Sequence, residues 1–150
     1  RTYSLDTQSG DEKFSFQNPD QEHGAKGLTW DGQNLYIMGW TTNTIYKMKR
    51  DGEMVETNLL DYGAGGGLAF DGTSFWVPCD VICRFSTDGH LIGKIYPASE
   101  GTWDLEWEPA QNSAEGFLWA TQRTNENWQD EKIFNVKLIL ICYKKRLYLI

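Results

Sequence analysis

The chain has 150 residues, 40% hydrophobic and 23% charged, the balance of a globular domain with a core of its own. Its net charge of −7 is unevenly placed: residues 1–131 hold nine basic against 21 acidic side chains, a net of −12, while residues 132–150 add five basic residues and no acid. So acidic a body repels phosphate backbones and excludes a nucleic-acid partner, and no run reaches the roughly twenty apolar residues of a membrane span.

Seven Trp, seven Tyr, seven Phe and fifteen Gly against four Pro suit short strands joined by tight turns. No long segment keeps apolar residues at helical spacing, so the expected fold class is all-β. In chain order, Tyr3-Ser4-Leu5-Asp6 and Phe14-Ser15-Phe16 flank a turn at Gly10 and match the third and outer strands of the units that follow. Residues 1–17 therefore read as the rear half of a unit. With neither Met nor a signal peptide at its start, the chain reads as a fragment.

Residues 24–60 and 64–98 are two copies of one unit. Gly27-Leu28-Thr29-Trp30-Asp31-Gly32 matches Gly67-Leu68-Ala69-Phe70-Asp71-Gly72, and Leu35-Tyr36-Ile37 matches Phe75-Trp76-Val77, both at an offset of 40. Ile45-Tyr46-Lys47-Met48 and Asp51-Gly52 then match Ile82-Cys83-Arg84-Phe85 and Asp88-Gly89 at 37. Each unit spells inner strand, Asp-Gly turn, second strand buried on both faces, alternating third strand, Asp-Gly turn, outer strand. One such sheet cannot bury both faces alone, and stacking copies about an axis solves this, which is the logic of a β-propeller.

Residues 102–138 carry a weaker third copy. Leu105-Glu106-Trp107-Glu108-Pro109 is its inner strand, Phe117-Leu118-Trp119-Ala120 its second and Lys132-Ile133-Phe134-Asn135-Val136 its third. The total is about three and a half blades, short of a closed ring, and a homodimer would close one of about six. The tail, 137–150, is hydrophobic and basic where a polar turn is due. It reads as an irregular outer strand, as a foreign ending, or as a lipid-facing or partner-docking segment. Cys79, Cys83 and Cys142 form no zinc pattern and leave the compartment open.

Loops 17–26, 39–44, 61–66, 78–81, 98–104 and 121–131 are expected at one end of the stack. They bring His23, Trp40, Trp103, Asp104, Arg123 and Trp128 to that end, with Glu106 just below on the inner strand. Indoles for stacking and acids for orientation suit a sugar, an amine or a peptide, while a merely solvated rim is the plainer reading. Asp104 and Glu106 flank Leu105 and so share a face, where they would also suit an axial divalent cation. His23 is the one histidine placed to act as a general base. No phosphate loop, nucleophile elbow or paired histidine ligands occur, and no other cofactor is expected.

The units resemble blades of the bacterial propeller superfamily that includes NHL repeats, streptogramin-lyase-like and glutamine cyclotransferase-like proteins. The last is similar in its KGLTW, GGGLAFDG, WDLEW and FLWATQ segments. What this resemblance implies is a propeller with an axial site near Trp103, Asp104 and Glu106, and a cyclotransferase or lyase activity. That family carries an Asn-Glu pair where Trp103-Asp104 stands here, and Gln or Glu where Lys26 stands. The first expectation is therefore a non-catalytic module that binds a ligand or partner on its loop face and self-assembles. An enzyme of the cyclotransferase or lyase kind is the alternative.

Overall fold

The computed structural model describes residues 1–63, 65–96, 101–110, 116–123 and 131–137, without the side chains of 122, 123 and 131–137; the tail from 138 onward lies outside them. The described residues are all-β and contain no helix. Strands β1 (Thr2–Leu5) and β2 (Glu12–Phe16) form an antiparallel hairpin. A first sheet follows as a four-stranded meander of β3 (Ala25–Trp30), β4 (Leu35–Gly39), β5 (Thr44–Met48) and β6 (Met54–Leu59). The second sheet repeats it with β7 (Ala69–Phe70), β8 (Ser74–Pro78), β9 (Ile82–Ser86) and β10 (Leu91–Ile95). The third contains β11 (Thr102–Pro109), β12 (Gly116–Arg123) and β13 (Glu131–Lys137).

The turns between inner and second strands follow from their residues. Gly32 and Gly72 hold φ of +95° and +93°, conformations that a Cβ disfavours. The preceding aspartate caps each turn. Asp31 Oδ1 accepts from the Gln33 and Asn34 amides at 2.7 and 2.5 Å, and Asp71 Oδ1 from those of Thr73 and Ser74 at 2.8 and 2.7 Å.

Strand alternation puts a different core on each face of the second sheet. Phe75, Val77, Cys83 and Phe85 meet Tyr36, Met38 and Ile45 of the first sheet. Trp76, Ile82 and Ile95 meet Leu105, Leu118 and Ala120 of the third. Every residue of β8 is buried as a result, as expected for a central strand between stacked sheets. The stack is compatible with a propeller-like arrangement. Cys79 and Cys83 are both free thiols.

One inner strand is shorter than its sequence copy. β7 begins at Ala69 rather than Gly67, because the Gly67 amide donates to the Trp103 carbonyl at 3.1 Å instead of to its own sheet. Backbones meet closely at this corner. A Cβ on Gly27 would lie 2.6 Å from the Leu68 nitrogen and 2.7 Å from the Gly67 carbonyl carbon, both backbone atoms that cannot swing aside. Gly27→Ala is therefore expected to destabilise by about 1–3 kcal/mol, read by urea unfolding. A neutral result would mean that the sheets do not press together there.

Candidate functional site

At the end of the stack where the inner strands begin, three consecutive sheets bring their loops together. Lys26 on β3 extends its ammonium to 3.9 Å from the ring centre of Trp40 and 5.3 Å from that of Trp103, and donates to the Gly65 carbonyl at 2.7 Å. Among the described residues no carboxylate forms an ion pair with Lys26. Trp40 and Trp103 remain 47% and 44% exposed, although each packs beside a cation that favours an indole face. Trp40 is anchored through its amide, which donates to the Gly24 carbonyl at 3.2 Å.

Asp104 stands next to this cluster. Its carboxylate occupies the space that a Cβ on Gly67 would need, so that glycine is what admits it. Its own amide donates to Thr121 Oγ1 at 3.1 Å, and its Oδ1 accepts from the Leu105 amide at 2.9 Å. Two residues on, Glu106 pairs with Trp119 across β11–β12, whereas Trp107 packs toward the second sheet. Burial, then the nearby charge of Asp104, raise the Glu106 carboxyl above its ordinary value. Glu106 lines a cleft of about 560 Å³ along the inner strands, walled by Leu28, Trp30, Phe70 and Trp107 and floored by the Asp31 and Asp71 turns.

The remaining candidates lie elsewhere. The His23 amide donates to Asp20 Oδ1 at 3.1 Å, with its ring Nδ1 3.7 Å from the same oxygen, and the ring does not line the cleft. Arg123 ends β12, its side chain outside the described residues together with all of Trp128. Among the described residues no cluster of three or more His, Cys, Asp or Glu is placed to hold a metal, and no helix is long and apolar enough to cross a membrane.

Two features escaped the reading of the sequence. Lys26 lies between two indoles that stand 14 and 77 positions further along the chain, which no local pattern reveals. The second was legible in principle. Asp31 Oδ2 accepts from the Tyr36 hydroxyl at 2.9 Å and Asp71 Oδ2 from Trp76 Nε1 at 2.8 Å, so the same five-residue step recurs in both copies. In the third sheet Glu108 takes that place, its Oε2 accepting from Trp119 Nε1 at 2.6 Å. In the first two sheets a base lies over that aromatic, Lys47 at 5.7 Å from the Tyr36 ring centre and Arg84 at 5.0 Å from that of Trp76. Asp31 and Asp71 thus each cap a turn with one oxygen and tie down a buried aromatic with the other, while Glu108 holds the more exposed Trp119.

No protein-family model matches the chain, and neither does any curated protein.

Proposed function

We propose that the chain is a propeller-type module that binds a small polar ligand or short peptide over the Trp40–Lys26–Trp103 cluster without transforming it. The observation that supports this reading is the ammonium held between two half-exposed indoles, with no carboxylate among the described residues in an ion pair with it. A sugar ring or a peptide bond laid on the indoles would gain stacking, and Lys26 would anchor a carboxylate on it. Asp104 would fix the opposite, donor end. In this reading the stacked sheets are blades, and a second copy pairs with the first to close the ring. Light scattering tests that part: a constant monomer mass at all concentrations counts against it.

Binding is tested by tryptophan fluorescence titration with glucuronate, maltose and a tripeptide beginning with glutamine. A saturable change with at least one of them is expected, weakened roughly tenfold or more by Trp103→Ala and by Lys26→Ala. Both side chains are outside the buried core, so circular dichroism should show the fold retained. No saturable response to any probe, or one indifferent to both substitutions, would sink the reading.

A second reading, an enzyme with an axial site, is favoured by the raised Glu106 carboxyl beside the cleft. In cyclotransfer the amine of an N-terminal glutamine attacks its own side-chain carboxamide carbon and ammonia leaves, so Glu106 would shuttle the proton from one nitrogen to the other. Ammonia release from the tripeptide, abolished by Glu106→Gln, would select this reading. Adding Ca²⁺ to the same titrations tests the Asp104–Glu106 pair as an axial cation site.

The two readings share a prediction on stability. Because folding raises the Glu106 carboxyl above the ordinary 4.5, the folded state holds the proton more tightly. Stability contributed by this group is present below the unfolded value and lost as pH rises through the folded one. Glu106→Gln should flatten that part of the pH profile and leave the protein at least as stable at pH 7, checked by thermal melts across pH 4–8.

A further inference from the structure

We infer that Cys79 and Cys83 form a reversible dithiol–disulfide site, oxidised by a low-molecular-weight disulfide through thiol–disulfide exchange. Both cysteines belong to the hairpin of β8 and β9. Val77 pairs with Cys83 and Pro78 with Ile82, and just beyond Pro78 the Cys79 amide donates to the Val81 carbonyl at 2.7 Å. Residues directly opposite in an antiparallel pair share a face, and so do residues two apart on one strand. Cys79 and Val77 therefore share the face of Cys83, which sets the two thiols diagonally across the strand end. They meet there in a hydrogen bond, and the Cys79 sulfur also lies 3.7 Å from the Val77 carbonyl oxygen.

The first sheet shows the same adjacency independently. Gly39 and Tyr46 hold the equivalent places there, with Met38 paired to Ile45 and Ile37 to Tyr46. A Cβ on Gly39 would lie 3.2 Å from the Tyr46 ring, so side chains at these two places are brought together by the hairpin itself. The second sheet puts sulfur at both. A buried cysteine can be a small apolar filler, and Cys83, 0% exposed in the core between the first two sheets, would pass for one. Cys79 would not. It is only partly buried at the rim of that core, and of the two sulfurs it is the one that an outside reagent meets first.

The surroundings divide the roles. Lys94 pairs with Cys83 across β9–β10. Its ammonium stands 3.6 Å from the Tyr62 ring centre and 3.8 Å from Asp80 Oδ1, and the Tyr62 hydroxyl donates to Asp80 Oδ2 at 3.1 Å. The hydrogen bond from Cys79 lowers the Cys83 thiol below its ordinary value; burial opposes this and the Lys94 ammonium adds to it. The same hydrogen bond, then burial, raise Cys79. Cys79 is thus reachable but slow and Cys83 reactive but covered, so exchange begins at Cys79 and is completed by Cys83.

In the first step the Cys79 sulfur attacks the small disulfide, its S–S bond breaks, and the thiol that leaves carries away the Cys79 proton. In the second, Cys83 attacks the Cys79 sulfur of the mixed disulfide, and the other small thiol leaves with the Cys83 proton. Two protein thiols are oxidised, one disulfide is reduced to two thiols, and an excess of reducing thiol reverses both steps.

The test sets Cys142 aside by Cys142→Ser and incubates the folded full-length variant with bis(2-hydroxyethyl) disulfide. Both remaining thiols should be lost to chromogenic titration in denaturant, with a mass lower by two hydrogens and no adduct, and dithiothreitol should restore them. In the same background Cys83→Ser should stop at a mixed disulfide on Cys79, and Cys79→Ser should slow modification of Cys83 by about tenfold or more. The Cys142→Ser chain keeps both thiols of the pair, so it tests the inference even where replacing buried Cys83 unfolds the protein. Retention of both thiols, an adduct on Cys79 that never resolves, or a disulfide between chains would each overturn the inference. Modification of Cys83 that is indifferent to Cys79→Ser would overturn it as well. None of these readouts uses a ligand, so their outcome is independent of the titrations on the Trp40–Lys26–Trp103 cluster.

Discussion

Replacing Asp71 with alanine is expected to cost about 3–5 kcal/mol of folding stability, read as a lower urea midpoint with an unchanged slope. The carboxylate is 7% exposed and joins three segments of the second sheet. Its Oδ1 accepts from the Thr73 amide, the Thr73 hydroxyl and the Ser74 amide at 2.7–2.8 Å. Its Oδ2 accepts from Trp76 Nε1 at 2.8 Å and from the Arg84 guanidinium at 3.1 Å. Alanine leaves a largely buried guanidinium without its counter-charge and an indole N–H without an acceptor, and the desolvation of both then counts in full.

The same carboxylate gives the protein an acid limit. Burial alone would raise Asp71, but the hydrogen bonds from Thr73, Trp76 and Ser74 outweigh it and hold the group below its ordinary 3.8. Its contribution is complete above that ordinary value and is lost as pH falls through the lower folded one. The stability gap between the parent and Asp71→Asn should therefore narrow as pH drops below about 4. A gap of constant size would show that the charge on Asp71 is not what the fold uses.

Phe75→Ala is expected to cost a comparable amount, about 3–5 kcal/mol. Phe75 is fully buried between the first two sheets. Its ring meets that of Tyr36 at 4.9 Å and 61°, and that of Phe70 at 5.0 Å, while Tyr36 and Phe70 stack at 5.6 Å. Three rings from two sheets fill one space, so truncation removes the central one and leaves a cavity that rigid strands cannot close. Calorimetry should show the melting temperature lowered by about 2–4 °C for each kcal/mol lost. A loss below about 1 kcal/mol would mean that stacking of these sheets contributes little to holding the chain folded.

The units were legible because turn chemistry and strand alternation are local. Asp-Gly before Leu-Tyr-Ile and before Phe-Trp-Val marks a hairpin without reference to anything distant, and both hairpins formed where those residues lie. The burial of Trp76 and Val77 on opposite faces followed from counting alone. Less legible was anything that depends on how one unit meets the next. Gly67 reads as the start of a strand, yet its amide goes to the Trp103 carbonyl because the neighbouring backbone lies close enough to take it. The same holds for the site. Trp40, Trp103 and Asp104 were picked out as loop residues, but Lys26 joins them only through the offset between adjacent sheets, and His23 turned instead to Asp20.

The two faces of the second sheet are chemically distinct, with Phe75, Val77 and Phe85 toward the first sheet and Trp76, Ile82 and Ile95 toward the third, so the array has a direction. Such an array behaves as a directional polymer whose two junctions use different residues for the same purpose. A link inserted backwards would set two like faces together and find no matching surface at either end.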